Sequence, residues 1–173
     1  MSRKKSFVKN FTKLLCKREL ISVEDSLELP DEFSHRAKES FDNFLLSEGL
    51  VSKDDLLESL REYYQVPAFD AQGHFFQRST VRLFPKIFLI KNVIIPIERD
   101  ENMLIVLAND PTDHELLSKI GEFVSYDIHF RVGLYQDILN AVHEYYDASV
   151  TQITGKDIEE SDIDYKDVVD KVD

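Results

Sequence analysis

An echo at thirty residues constrains this chain more than any other feature. "FTKLLCKRELISVEDSLELP", residues 11–30, aligns with "FDNFLLSEGLVSKDDLLESL", residues 41–60, pairing Phe11 with Phe41, Leu14 with Phe44, Leu15 with Leu45, Leu20 with Leu50, Ile21 with Val51, Ser22 with Ser52 and Asp25 with Asp55. Each copy reads as the end of one helix, a short apolar link and a serine-capped restart, so helix, turn and helix occur twice. Two copies are too few for a solenoid. They predict a compact helical lobe over residues 1–66.

Inside that lobe, Phe7, Val8, Phe11, Leu14 and Leu15 recur at three and four residues, an apolar helical stripe with lysines on the other face. Pro30 is expected to mark a boundary, with "PDEFSHRAKESFDNFLLSEG" a helix that starts at Pro30 or Asp31 and ends at Gly49. "LVSKDDLLESLREYY" follows, with Ser52 as N-cap and Asp55 three positions on.

After Pro67 the pattern changes. "AFD" suits a short strand and "RSTVRLFPKIFLIKN" one or two short helices, with Pro85 in a first turn. "VIIPIERDENMLIVLAND" has two β-branched runs around "RDEN", a hairpin signal in which Pro96 predicts an edge strand or a bulge. "ANDPTDHELL" reads as strand, tight turn and helix, with Asp110 and Asp113 as turn and capping residues around Pro111. A strand over "YDIHFRVG" and a helix over "LYQDILNAVHEYYD" complete the expectation: an α+β fold, the tandem helical lobe followed by a small α/β lobe with a mixed sheet over 67–147. Residues 148–173 lose the pattern and read as an acidic linker or tail.

Charge is polarised along the chain. The net charge is -12, which disfavours nucleic acid as a partner. Residues 151–173 carry eight acids against three lysines, whereas Arg3, Lys4, Lys5, Lys9, Lys13, Lys17 and Arg18 make the first twenty residues basic. Lys4, Lys5 and Lys9 on an amphipathic helix suit peripheral contact with anionic lipid. Cys16 is the single cysteine, so no internal disulfide can form, and the longest apolar runs fall short of a bilayer span. The expected location is cytoplasmic, with recruitment to the inner membrane as the variation those lysines allow.

Signatures of catalysis are missing. The histidines His35, His74, His114, His129 and His143 are scattered, Cys16 has no assigned base, and no GxSxG elbow occurs. The one Gly-Lys pair, Gly155-Lys156, lacks the first glycine of a phosphate loop and is followed by Asp157. The expectation is a non-enzymatic domain with no cofactor and no metal.

The succession of a doubled helix-turn-helix, "VPAFD", "LFPKIFLIKNVIIPIERDENMLIVLANDPTDHELLSKI", a strand and "LYQDILNAVHEYYD" resembles the N-terminal domain of type II secretion and type IV pilus assembly ATPases, the GspE or MshE N-terminal family. The resemblance covers roughly residues 10–147. It implies a domain that docks the motor on an inner-membrane platform or motor partner. In a subset of the family it implies cyclic di-GMP bound by a tandem RLGxxLxxxGxxTxxxLxxALxxQ motif. Against that motif the arginine positions hold Asn10 and Ser40, the first glycine positions Thr12 and Asp42, the second Glu19 and Gly49, and the closing glutamines Phe33 and Tyr63. Only the apolar framework and Gly49 survive. A degenerate ligand site would therefore consist of Phe11, Leu15, Phe41, Leu45, Gly49 and Leu50, with carboxylates where a phosphate needs cations and close backbone. The protein-docking reading is preferred and cyclic di-GMP is the alternative. The acidic end resembles the linker that precedes the motor, so the chain reads equally as a piece of such an ATPase or as a stand-alone adaptor.

Overall fold

The computed structural model describes residues 2–36 and 38–155. Four helices come first, α1 (Arg3–Lys17), α2 (Val23–Arg36), α3 (Phe41–Ser47) and α4 (Lys53–Tyr64). They are followed by α5 (Arg78–Val81), α6 (Lys86–Asn92), β1 (Ile94–Arg99), β2 (Met103–Ala108), α7 (Leu116–Gly121), β3 (Asp127–Val132) and α8 (Tyr135–Gly155). This is the α+β order that the sequence predicts. Residues 148–155, where an acidic linker was expected to begin, continue α8, and residues 156–173 lie outside the described residues.

The thirty-residue echo is written into the backbone. At the exit of α1 the amides of Arg18, Glu19 and Leu20 donate to the carbonyls of Leu14, Cys16 and Leu15; at the exit of α3 those of Glu48, Gly49 and Leu50 donate to Phe44, Leu46 and Leu45. These are the same three bonds repeated. Both restarts are capped alike: Ser22 Oγ accepts from the Asp25 amide at 3.0 Å and Ser52 Oγ from the Asp55 amide at 3.2 Å. The two copies then pack on each other, with Phe11, Leu15, Phe41, Phe44, Leu45, Leu56 and Leu60 in one buried cluster.

Pro30 does not begin a helix. It sits inside α2, and the helix expected from Pro30 to Gly49 is two helices, α2 and α3. Leu29 and Phe33, four residues apart on either side of the proline, are both buried, and Phe33 meets Phe41 at 5.0 Å and Phe44 at 5.2 Å. Burial of that pair outweighs the one backbone bond a proline removes. The break comes later, at Ser40, whose extended backbone caps α3.

The second half builds a sheet in the order β1-β2-β3, with β1 and β2 antiparallel and β2 and β3 parallel. Asp100 Oδ1 accepts from the amides of Asn102 and Met103, both at 3.0 Å, and closes the hairpin. Pro96 pairs with Val106 and Glu98 with Ile105, so Ile97 is the extra residue of a bulge, and β1 is also an edge strand. The expected "AFD" strand is a single bridge, Ala68 to Val132. Pro85 stands one residue before α6 as its N-cap. Leu104, Val106 and Leu107 of the central strand join Ile138, Ala141 and Val142 of α8 in a second buried cluster. Val132 and Leu134, at the far end of β3, belong instead to the cluster of the helical lobe. The chain thereby stitches its halves together. Among the described residues no helix is long and apolar enough to cross a membrane.

The doubled exits differ in one respect. Both need a left-handed residue, which is Gly49 at φ 69° in one copy and Glu19 at φ 62° in the other. A side chain in that region costs roughly 1–2 kcal/mol, against a glycine entropy penalty of about 0.5–1 kcal/mol. Glu19→Gly should therefore raise stability by about 0.5–1 kcal/mol in urea unfolding. Gly49→Ala, whose added Cβ meets nothing within 4 Å, should lower it by about 1 kcal/mol on conformational grounds alone.

Candidate functional site

Asp42 is a carboxylate in the second residue of α3, and its side chain is only 5% exposed. Its Oδ1 accepts from the Ser40 hydroxyl and from the Asn43 amide at 2.8 Å; its Oδ2 accepts from the Tyr135 amide at 2.9 Å and from Asn109 Nδ2 at 3.0 Å. Asn43 lies in the first turn of α3 and Tyr135 opens α8, so two helix N-termini converge on one carboxylate. Their free amides and dipoles stabilise the charge where, among the described residues, no cation pairs with it. Asn109 also donates to the Gly133 carbonyl at 3.0 Å. Gly133 is needed there because a Cβ would come within 2.7 Å of Leu107 Cδ1.

Beside this node the two halves of the chain leave a cleft of about 580 Å³. Phe7 and Tyr64, stacked at 5.8 Å, line one wall, and Asn109, Tyr135 and Gln136 line the other. Arg3, Lys4, Lys38 and Glu39 stand around it. Arg3 forms an ion pair with Asp110, and its side chain reaches Thr112 Oγ1 at 3.5 Å. That hydrogen bond to Asp110 holds the guanidinium above its ordinary value. Burial, with the Asp110 charge adding to it, pushes the Tyr64 hydroxyl well above the usual tyrosine range, so it remains a neutral hydroxyl. The cleft therefore offers stacked rings, neutral donors and acceptors, and charges of both signs.

Lys53, at the start of α4, makes a second tie between the halves. Its Nζ lies 2.9 Å from both Asp137 of α8 and Asp70, and it donates to Gln72 Oε1 at 2.6 Å. Burial draws the ammonium down, but Asp137 and Asp70 together hold it above the ordinary lysine value. Among the described residues, no group of three or more His, Cys, Asp or Glu is placed to hold a metal.

Of the six residues proposed from sequence as a degenerate ligand site, Phe11, Leu15, Phe41 and Leu45 share the buried cluster of the helical lobe and Leu50 packs against it. Phe11, Leu15 and Leu45 are completely buried in the helical core. Phe41 is buried too and contributes to the wall of the cleft. Gly49 is at an exposed turn, while Leu50 lines a separate shallow hollow of about 470 Å³ with Cys16, Leu20 and Val23. The cleft's polar residues come from five separate stretches, which is why sequence reading missed Tyr64, Asn109 and Tyr135 as neighbours. One signal was present: Asn109 and Asp110 both lie in the "ANDPTD" stretch that stands out as a motif.

Comparison with known proteins agrees with this architecture. The MshEN domain model matches residues 64–152. The type IV pilus assembly ATPase PilB of Myxococcus xanthus (strain DK1622) is 26% identical over 133 residues, which is 77% of this chain and 23% of that protein. The chain thus spans less than a quarter of that relative's length. Among solved structures, MshE with cyclic di-GMP matches at a TM-score of 0.60 and 20% identity, covering 79% of this chain and 98% of that one. The N-terminal domain of XpsE matches at a TM-score of 0.56 and 19% identity, covering 84% and 99%. At such identities these two structures speak for the fold.

Removing the Asp42 carboxylate strands the Tyr135 amide and half-strands Asn109. Asp42→Ala should cost about 3 kcal/mol and Asp42→Asn about 2 kcal/mol, both read by urea unfolding. For Lys53 the sign follows from a folded value raised above the unfolded one: its contribution is complete below the unfolded value and fades as pH rises through the folded one. The stability gap between the parent and Lys53→Met should be full at pH ~7 and close in strong alkali.

Proposed function

The chain belongs to the MshEN domain family, and from that premise we propose that it is a non-catalytic docking and regulatory domain for a protein partner, an inner-membrane platform or motor component of a type IV pilus or type II secretion apparatus. In this reading it works at the cytoplasmic face of the inner membrane. What supports it is that the positions aligned with the glycines of the binding motif's first step carry side chains engaged inside this chain's own fold. Asp42 stands where the binding motif has its first glycine, satisfied by internal donors. Thr12, its counterpart in the first copy, is fully buried and donates to the Val8 carbonyl at 2.6 Å. The relatives supply context: PilB is a type IV pilus assembly ATPase, and the matched structures are N-terminal domains rather than motors.

A second reading, cyclic di-GMP sensing, has its own support, because MshE was solved with that ligand and a cleft of about 580 Å³ lies between the halves of this chain. Electrostatics opposes it. A ligand phosphate approaching Asp42 would meet a buried like charge, and Asn10 and Ser40 supply none of the planar cationic fork of arginine.

Calorimetric titration separates the readings. The purified chain should bind the cytoplasmic domain of one platform or motor protein from the same organism saturably and at micromolar strength, and absence of heat with all of them overturns the docking reading. Cyclic di-GMP, with cyclic di-AMP and GTP as controls, should give no heat and no thermal shift. Selective micromolar binding would make the domain a sensor.

A further inference from the structure

The basic residues of α1 divide into two groups once their surroundings are known. Arg3 pairs with Asp110, Arg18 donates to Ser59 Oγ at 2.7 Å and lies 3.7 Å from Glu62, and Lys4 rests 5.4 Å from the centre of the Phe33 ring. Lys5, Lys9, Lys13 and Lys17 are different. All four are exposed, and among the described residues none has an acidic partner. Their four-residue spacing keeps them within about a third of the helix circumference, along about 18 Å of its length. Val8, Phe11, Thr12 and Leu15 form the buried side of the same helix. From residue 5 to residue 17 the sequence contains no acid.

We propose that this lysine row is a contact surface for an anionic lipid bilayer, and that Lys5, Lys9, Lys13 and Lys17 carry it, rather than Lys4, which is engaged with Phe33. The row is a nearly straight line of flexible ammonium groups, with small polar Ser6 and Asn10 between them and no large apolar side chain on that face. A peptide takes its register from pockets for its side chains, whereas a charged membrane surface needs only a sufficient density of cations. The net charge of -12 does not prevent contact. At physiological salt the screening length is about 8 Å, so the surface senses the charges of the face turned towards it. The inference is independent of the docking reading, since that is tested with proteins and this with lipid alone.

The test is co-sedimentation of the full chain with vesicles of phosphatidylcholine, with and without phosphatidylglycerol. The chain should pellet with the anionic vesicles only, less so as salt rises. Lys9→Gln should weaken partition about fivefold and the triple variant Lys5→Gln/Lys9→Gln/Lys13→Gln about a hundredfold. Lys91→Gln, an exposed lysine on α6, is the control and should change nothing. Unchanged thermal unfolding would show the variants to be folded, as expected for an exposed face. Equal pelleting with neutral vesicles, no pelleting with anionic ones, or equal losses in Lys9→Gln and Lys91→Gln would overturn the proposal. Binding to polyglutamate without binding to anionic vesicles would also overturn it, in favour of an acidic protein.

Discussion

A single buried carboxylate organises the junction of this molecule. Asp42 accepts from the first turn of its own helix and from the first residue of α8, ninety-three positions along the chain. A buried anion is normally held by a cation, and the alternative here is a set of neutral donors backed by two helix N-termini. Such donors are directional. They define where α8 begins relative to α3, and with it the width of the cleft that opens next to them. The arrangement also places negative charge where a bound phosphate would otherwise find free amides.

The remaining ties run in parallel with this one. Lys53 bridges α4 to Asp137 of α8 and to Asp70, and the end of β3 delivers Val132 and Leu134 into the helical core. Gly133 lies between those two apolar anchors, where any added Cβ would force the buried Leu107 side chain to shift. An ion pair, a polar node and an apolar plug thus act at one boundary, each by a different force.

The doubled unit has the same geometry in both copies although their polar residues differ. Its turn bonds and serine caps are identical in the two copies, and its apolar positions form a shared core. Packing accounts for that likeness: Phe11, Leu15, Phe41 and Leu45 are buried, so their chemistry is demanded by the fold whether or not anything binds. Glu19 occupies a left-handed turn that Gly49 fills in the other copy.

The sequence by itself determined what depends on local periodicity and turn chemistry. The tandem offset, the caps at Ser22 and Ser52, the hairpin around Asp100, the Pro96 bulge and the helix-then-sheet order are all settled within a few residues of where they are written. Pro30 was misleading because a local rule met a nonlocal force: Leu29 and Phe33 gain enough by burial to carry a helix through a proline. The tertiary structure alone decided the rest. Asp42, Asn109 and Tyr135 become neighbours only when α3, the end of β2 and the start of α8 converge, and no spacing in the chain encodes that meeting. The lysines of α1 likewise look alike in sequence. Their partners, supplied by other segments or missing among the described residues, are what separate Arg3, Lys4 and Arg18 from the open row. Long-range convergence is a property of packing, and packing is where sequence periodicity ceases to inform.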